Sequence, residues 1–373
     1  MGPVLSGGDS VTKTIKRSLL GGVAAASAAI LLAGCGAAPE ETEESGDGAA
    51  SDFLPCIVSD FGGFDDKSFN QLSKEGVEKA ADELGVTAKE VESNAETDYA
   101  PNLENLVAQG CNTIASVGFN LSAATVDVAN ANPDIDYILI DDAADNDFDG
   151  EKDAEAIKPL LYDTAQAAFL AGYLAAGYSE ADKVGTFGGE EFPTVTIFMD
   201  GFTQGVDYYN EENSADVEVV GWDGETGSFT GGFDANPAAK TVAQNIIDQG
   251  VDVLLPVGGP IYQSALQAIK ESGEDIALIG TDSDLFEKDP DTQDYVLTSI
   301  LKSMDLSAYE AVMASANGEF DTEAYIGTLE NEGVGLADLH NFSDKVDAEL
   351  VAEVDELEQA IISGDLTVES YLE

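Results

Sequence analysis

From residue 56 onward the chain alternates short apolar runs with helical patterns, and it does so twice over. The first series reads as a strand ending at Val58, a helix over 71–84, a strand over 86–93, a helix over 99–109, a strand over 112–117, a helix over 121–130 and a strand over 136–140. A helix over 164–178, rich in Ala and Gly and so suited to close packing, leads into a second series. That series has strands over 184–187, 217–221, 253–256 and 276–279, with helices over 203–210, 237–249 and 262–272. A strand over 296–301 and an amphipathic helix over 347–362 complete the pattern. Strands separated by helical crossovers cannot pair as hairpins; they form βαβ units and a parallel sheet. The fold class expected is therefore α/β, with two Rossmann-like lobes.

Length agrees with this division, because the roughly 340 residues after Cys35 suit two lobes of about 150 each. Charge excludes a class of partner. The chain carries 15 Lys and Arg against 73 Asp and Glu, a net charge of −58. Without the leader, 12 basic residues stand against 72 acidic ones, a charge of −60. Such a surface repels nucleic acid and anionic lipid headgroups. Acidic residues at this density form a solvated face that needs counter-ions, which predicts a salt-requiring or salt-tolerant protein. Arg17 is the sole arginine and lies in the leader, so the folded part has no guanidinium fork for a carboxylate or phosphate. That favours a neutral ligand.

Lys13, Lys16 and Arg17 precede an apolar stretch over 19–33, too short to span a bilayer comfortably and typical of an export signal. Leu32-Ala33-Gly34-Cys35 resembles a bacterial lipobox, which implies a leader over 1–34 and lipidation of Cys35. Residues 35–52 are small and acidic, as expected of a disordered tether. Lipid and tether together would hold a soluble domain on the extracytoplasmic face of the cell membrane, with the lipid as its only membrane contact. Cys56 and Cys111 remain, at the starts of two strands that neighbour each other in a 2-1-3 sheet, and a disulfide between them is expected.

The loop after the first strand, Asp60-Phe61-Gly62-Gly63-Phe64-Asp65-Asp66-Lys67-Ser68-Phe69-Asn70, carries two glycines and a cluster of acidic, hydroxyl and amide groups. In open α/β sheets such a loop faces the ligand crevice. Its pattern resembles the opening motif of the basic membrane protein family, the substrate-binding lipoproteins of ABC importers that include purine-nucleoside receptors. The likeness continues in Ala168-Phe-Leu-Ala-Gly-Tyr-Leu-Ala-Ala176, Gly201-Phe-Thr-Gln-Gly205, Gly227-Ser-Phe229 and Ile279-Gly-Thr-Asp-Ser-Asp284.

The resemblance implies a type I periplasmic-binding-protein fold whose lobes are joined by a three-stranded hinge, with the ligand between them and a transporter permease as partner. Lobe boundaries follow at 53–162 with 283–303, and 163–282 with 304–373. It further implies a nucleoside, purine by preference, stacked between Phe69 and Phe198. Phe202 is read as core. Asp60, Asp282 and Asp284 are candidates for ribose or base hydrogen bonds, Lys302 for a ribose oxygen and Asn120 for the base edge. Gly258, with Gly62, Gly63 and Gly259, serves a tight turn or a close ligand approach. Asp65 and Asp66 either bind ligand or cap the helix that follows. His340 has no Cys or His neighbour at metal spacing and is read as surface or packing; no metal or cofactor is expected.

A receptor for ribose or another neutral sugar, or a ligand sensor, would use the same fold and residue types. A nucleoside hydrolase would need D-x-D-x-x-x-D-D, but Ser59 and Phe61 occupy the first two aspartate positions counted back from Asp65 and Asp66. No G-x-S-x-G, H-E-x-x-H or Walker A pattern is present either, so no catalytic residue is assigned and the chain is read as a binding protein rather than an enzyme.

Overall fold

The strands of the first lobe are β1 (Pro55–Val58), β2 (Lys89–Val91), β3 (Thr113–Val117), β4 (Asp136–Ile140) and β5 (Ile157–Tyr162), interleaved with α1 (Phe69–Leu84), α2 (Tyr99–Ala108) and α3 (Ser122–Ala131). The second lobe opens with α4 (Thr164–Tyr178), then runs through β6 (Lys183–Gly188), α5 (Pro193–Asn213), β7 (Glu218–Val220), α6 (Pro237–Ile247), β8 (Val253–Val257), α7 (Ile261–Ser272), β9 (Ala277–Asp282), α8 (Leu285–Lys288) and β10 (Val296–Lys302). The chain returns to the first lobe for α9 (Met304–Asn317) and β11 (Tyr325–Gly327), and ends in the second with β12 (Val334–Leu336) and α10 (Ala348–Ser363). This computed structural model describes residues 52–60 and 62–372; the leader, Cys35 and the tether up to residue 51 lie outside them.

Each lobe has one six-stranded sheet, ordered β11-β5-β4-β3-β1-β2 and β12-β10-β9-β8-β6-β7. Every pairing is parallel except that of β10 with β12. The two orders are the same walk through equivalent positions, so β4 matches β9 and β5 matches β10. This is a type I periplasmic-binding-protein fold, and three passages of chain join its lobes: after β5, after β10 and between β11 and β12. The first two are tied alike, Asp163 donating its N–H to Gly327 O at 2.8 Å and Ser303 donating its own to Gly333 O at 2.9 Å.

The expected lobe boundaries need correction on one point. Residues 283–303 were expected in the first lobe and 304–373 in the second, but β10 pairs with β9 in the second sheet. The crossover comes after β10, and α9 then packs on α1, with Ser73 Oγ 3.9 Å from Met304 Sδ. Strand β5 carries Pro159, which cannot donate to a ladder and so breaks the strand pattern in the sequence. Helix α5 begins at Pro193, ten residues before its expected start, because the proline at its first turn suits a helix N-terminus. Its early turns matter to function, since they hold Phe198. Helices α4 and α5 meet backbone to backbone: a Cβ on Gly205 would lie 2.0 Å from Phe169 O. Cys56 and Cys111 are joined by a disulfide, with Cα atoms 6.0 Å apart across β1 and the start of β3.

Candidate functional site

The carboxyl ends of both sheets face one cleft between the lobes, with about 580 Å³ of space free of protein atoms, part of it open to solvent. Strand ends and the turns after them supply most of its wall. Asp60 follows β1, Phe119 follows β3, Asp141 follows β4, Gly258 follows β8, and Asp282 and Lys302 end β9 and β10.

Lys302 and two carboxylates form the centre. Its Nζ lies 2.8 Å from Asp141 Oδ2 and 3.7 Å from Asp282 Oδ1, and the three side chains are almost wholly buried. Asp141 and Asp282 occupy equivalent places in the two sheets and share a left-handed backbone, φ 66° and 67°. Burial raises both carboxyl pKa values, and the Lys302 charge opposes that rise without cancelling it. Ser68 Oγ donates to Asp282 Oδ2 at 3.1 Å, which ties the first lobe's loop to the second lobe's strand. Around the ammonium, the ring centroids of Phe69, Phe198 and Tyr162 lie 5.4, 5.2 and 5.5 Å away.

A second polar group sits beside it. Burial pushes Asp60 up to about 6, against the pull of hydrogen bonds from the Gly62 N–H and from Asn70 Nδ2, both at 2.9 Å. Asn70 Nδ2 also donates to Asp66 Oδ2 at 3.1 Å. Both amide hydrogens of Asn70 are thus spent on carboxylates, and its Oδ1 is left buried without a protein partner. Thr194 Oγ1, from the first turn of α5 in the other lobe, is likewise buried and unpartnered. Both residues line the cleft, and sequence reasoning passed over both. Asp66 is the helix cap foreseen as one of its two roles, accepting from the N–H groups of Ser68, Asn70 and Gln71 at 3.0, 2.8 and 3.1 Å. Asp65 is exposed.

The aromatic walls differ from expectation. Phe69 and Phe198 both line the cleft, but Phe198 stands on helix α5 and is only 2 % exposed, rather than projecting from a loop. Phe202 is fully buried. Phe119 and Phe233 were not foreseen, yet both line the cleft, edge to face with centroids 6.1 Å apart. Phe119 also stacks on Phe192 at 3.9 Å and 14°, a first-lobe ring on a second-lobe ring. Gly258 has a reason other than ligand approach. Its φ is +118°, and a Cβ there would lie 2.5 Å from the Phe233 ring, so the glycine makes room for that phenylalanine.

One candidate falls away from the cleft. Asp284 does not line it; its carboxylate caps α8, accepting from the Phe286 N–H at 3.0 Å, and meets His340 Nε2 at 2.7 Å. His340 in turn stacks on Phe286, centroids 4.0 Å apart. Asn120 sits in the turn after β3 beside the cleft residue Phe119, and its Nδ2 is buried without a protein partner. On the loop that follows Asp141 and Asp142, Asp145, Asp147 and Asp149 bring carboxylate oxygens within 4.8 Å of one another. Their mutual repulsion, Asp149 foremost, raises the pKa of Asp147.

Comparison with known proteins gives a consistent picture. Residues 55–371 match the family model described as ABC transporter substrate-binding protein PnrA-like. The chain is 26% identical over 365 residues to the ABC transporter nucleoside-binding protein BmpA of Lactococcus lactis, covering 93% of this chain and 97% of the relative. It is 28% identical over 336 residues to basic membrane protein A1 of Borrelia garinii, covering 88% and 93%. Among solved structures, an ABC transporter solute-binding protein from Aeropyrum pernix superposes with a TM-score of 0.76 at 26% identity, covering 86% of this chain and 94% of that one.

Proposed function

Because this chain belongs to the PnrA-like family of ABC transporter substrate-binding proteins, we propose that it captures a nucleoside, a purine nucleoside by preference, between its lobes and delivers it to an importer permease. The observation that carries the reading is the buried Asp141–Lys302–Asp282 cluster flanked by phenylalanine rings. A ribose offers vicinal hydroxyls that donate to carboxylates and accept from an ammonium; a purine offers a flat face to aromatic rings. In this reading Phe69 stacks on one side of the base, with Phe198 and Phe233 available opposite. Asp60, Asn70 and Thr194 then meet the polar edge of the base.

The charge of the lining supports a neutral ligand. Asp60, Asp66, Asp141 and Asp282 line the cleft with a single lysine, so a phosphate would be repelled where a hydroxyl is welcomed. Closure of the lobes would exclude water and turn occupancy into a shape that a permease can detect. Lipidation at Cys35 would keep that encounter at the membrane surface.

Calorimetric titration in high salt, after a denaturing wash to strip bound ligand, tests the proposal with inosine, guanosine, adenosine, cytidine, ribose and galactose. Tight binding of a purine nucleoside without release of free base is the expected result. Binding of the sugars alone would overturn the ligand, and release of base would overturn the receptor reading.

A further inference from the structure

The two lips of the cleft are held by different forces. On one, Lys288 Nζ of the second lobe lies 2.8 Å from both carboxylate oxygens of Glu75 on α1, and Lys67 Nζ lies 3.2 Å from Asp289 Oδ2. Glu75, Lys288 and Lys67 are partly exposed, whereas Asp289 is buried, so the attraction fades as salt rises, most for the Glu75–Lys288 pair. On the other lip, Phe119 of the first lobe stacks on Phe192 and stands edge-on to Phe233, both of the second lobe. This contact carries no charge, and salt does not screen it.

Charge decides how the two balance. Counted over 52–162 and 304–327, the first lobe has 29 acidic and 6 basic residues, a charge of −23; over 163–303 and 328–373 the second has 38 and 6, a charge of −32. Two bodies so charged resist approach, and the resistance shortens its reach with the Debye length, from about 10 Å at 0.1 M salt to about 3 Å at 1 M. Salt therefore weakens the repulsion between the lobes and the ion pairs of one lip together; the aromatic contact stays, as do the buried bonds at the floor of the cleft, Lys302 to Asp141 and Ser68 to Asp282.

We propose that Phe119 and Phe192 form a clasp between the lobes, that this clasp rather than the Glu75–Lys288 and Lys67–Asp289 pairs keeps the cleft closed, and that closure tightens as salt rises. Phe192 does not line the cleft, so it is a positioning residue: it acts on a ligand through Phe119 and through closure. The statement about affinity rests on the ligand reading above, whereas the statement about closure does not.

The test begins without ligand. Small-angle scattering from the purified chain between about 0.1 and 1 M KCl should show the wild-type radius of gyration falling as salt rises. Phe192→Ala should stay more expanded at the upper end while its far-ultraviolet circular dichroism matches wild type. Glu75→Gln should be as compact as wild type there. A wild-type radius that does not fall, a Phe192→Ala radius equal to wild type, or a Glu75→Gln radius as large as that of Phe192→Ala would each overturn the clasp.

If alanine at 192 unfolds the chain, Phe192→Leu keeps the apolar bulk, loses the stacking, and should show a smaller expansion in the same direction. With inosine as probe, Phe192→Ala should weaken binding about threefold to tenfold, through faster dissociation with association little changed. An unchanged dissociation rate would count against the clasp. If inosine binds to no form, the proposed ligand fails, and the ligand-free scattering still decides the clasp.

Discussion

Replacing Lys302 by methionine should expose how the centre of the cleft is held together. The substitution keeps the length and apolar stem of the side chain but removes the charge 2.8 Å from Asp141 and 3.7 Å from Asp282. Two buried carboxylates then face each other without a cation, in a site where burial already raises both pKa values. Breaking a buried pair by removing one partner costs about 3–5 kcal/mol, which is the loss expected near pH 7.5. The pH dependence fixes the cause. A carboxyl whose folded pKa lies above its unfolded value stabilises the fold at low pH and loses that contribution as pH rises. Without Lys302 the folded pKa values rise further, so the folded variant holds protons more tightly than wild type where these carboxyls titrate. The penalty should shrink toward pH 5, by up to about 1.4 kcal/mol per pH unit. Urea unfolding of both proteins at each pH, in about 1 M KCl so that long-range charge effects are screened alike, measures this directly. Lys302→Met with Asp141→Asn should be more stable than Lys302→Met alone at pH 7.5, since the cluster returns to a single negative charge. An equal penalty at both pH values, or one below about 1 kcal/mol, would refute the reasoning.

Phe69→Ala should weaken purine-nucleoside binding tenfold or more, the consequence of losing about 1.4 kcal/mol or more of stacking; calorimetry showing unchanged affinity would move the base elsewhere. Asp60, with its pKa near 6, should make affinity fall as pH drops from about 7.5 to 5, because protonation removes an acceptor from the cleft. Asp60→Asn should flatten that dependence, and a variant that keeps the wild-type profile would assign it to another group. Reduction of the Cys56–Cys111 disulfide, which closes a span of 55 residues, should cost about 2–4 kcal/mol and lower the melting temperature; equal melting of oxidised and reduced protein would contradict this.

Periodicity made the fold legible because a parallel sheet writes itself as buried apolar runs separated by amphipathic helices. It could not place the crossover after β10, since Leu301-Lys302-Ser303-Met304 has no Gly or Pro to mark where the chain leaves one lobe for the other. In the cleft, Asp60, Phe69, Asp282 and Lys302 were readable from the ordered motifs that contain them. Asp141 was not, although it had a signal: like Asp282, it comes after four uncharged residues at a strand's carboxyl end, Tyr137-Ile-Leu-Ile140 against Leu278-Ile-Gly-Thr281. Among 73 acidic residues that signal was submerged. Phe233 and Thr194 come from segments whose approach to the cleft is set by lobe packing, which local pattern does not encode. Asp284 was misplaced because two residues past a strand end is enough for the chain to have turned into α8.

The likeness of the two sheets has a consequence for direction. Asp141 and Asp282 stand at matching strand ends with matching backbones, so by themselves they form a socket with no head or tail. A molecule seated there could be rotated by half a turn and meet the same two groups. The strand ends beside them do not match: β5 finishes in Tyr162, a neutral phenol bonded to Ser307, and β10 finishes in Lys302, a cation. That mismatch, together with the Ser68 hydroxyl bonded to Asp282, gives the socket an arrow, and the half-turned molecule would no longer find the cation in the same place.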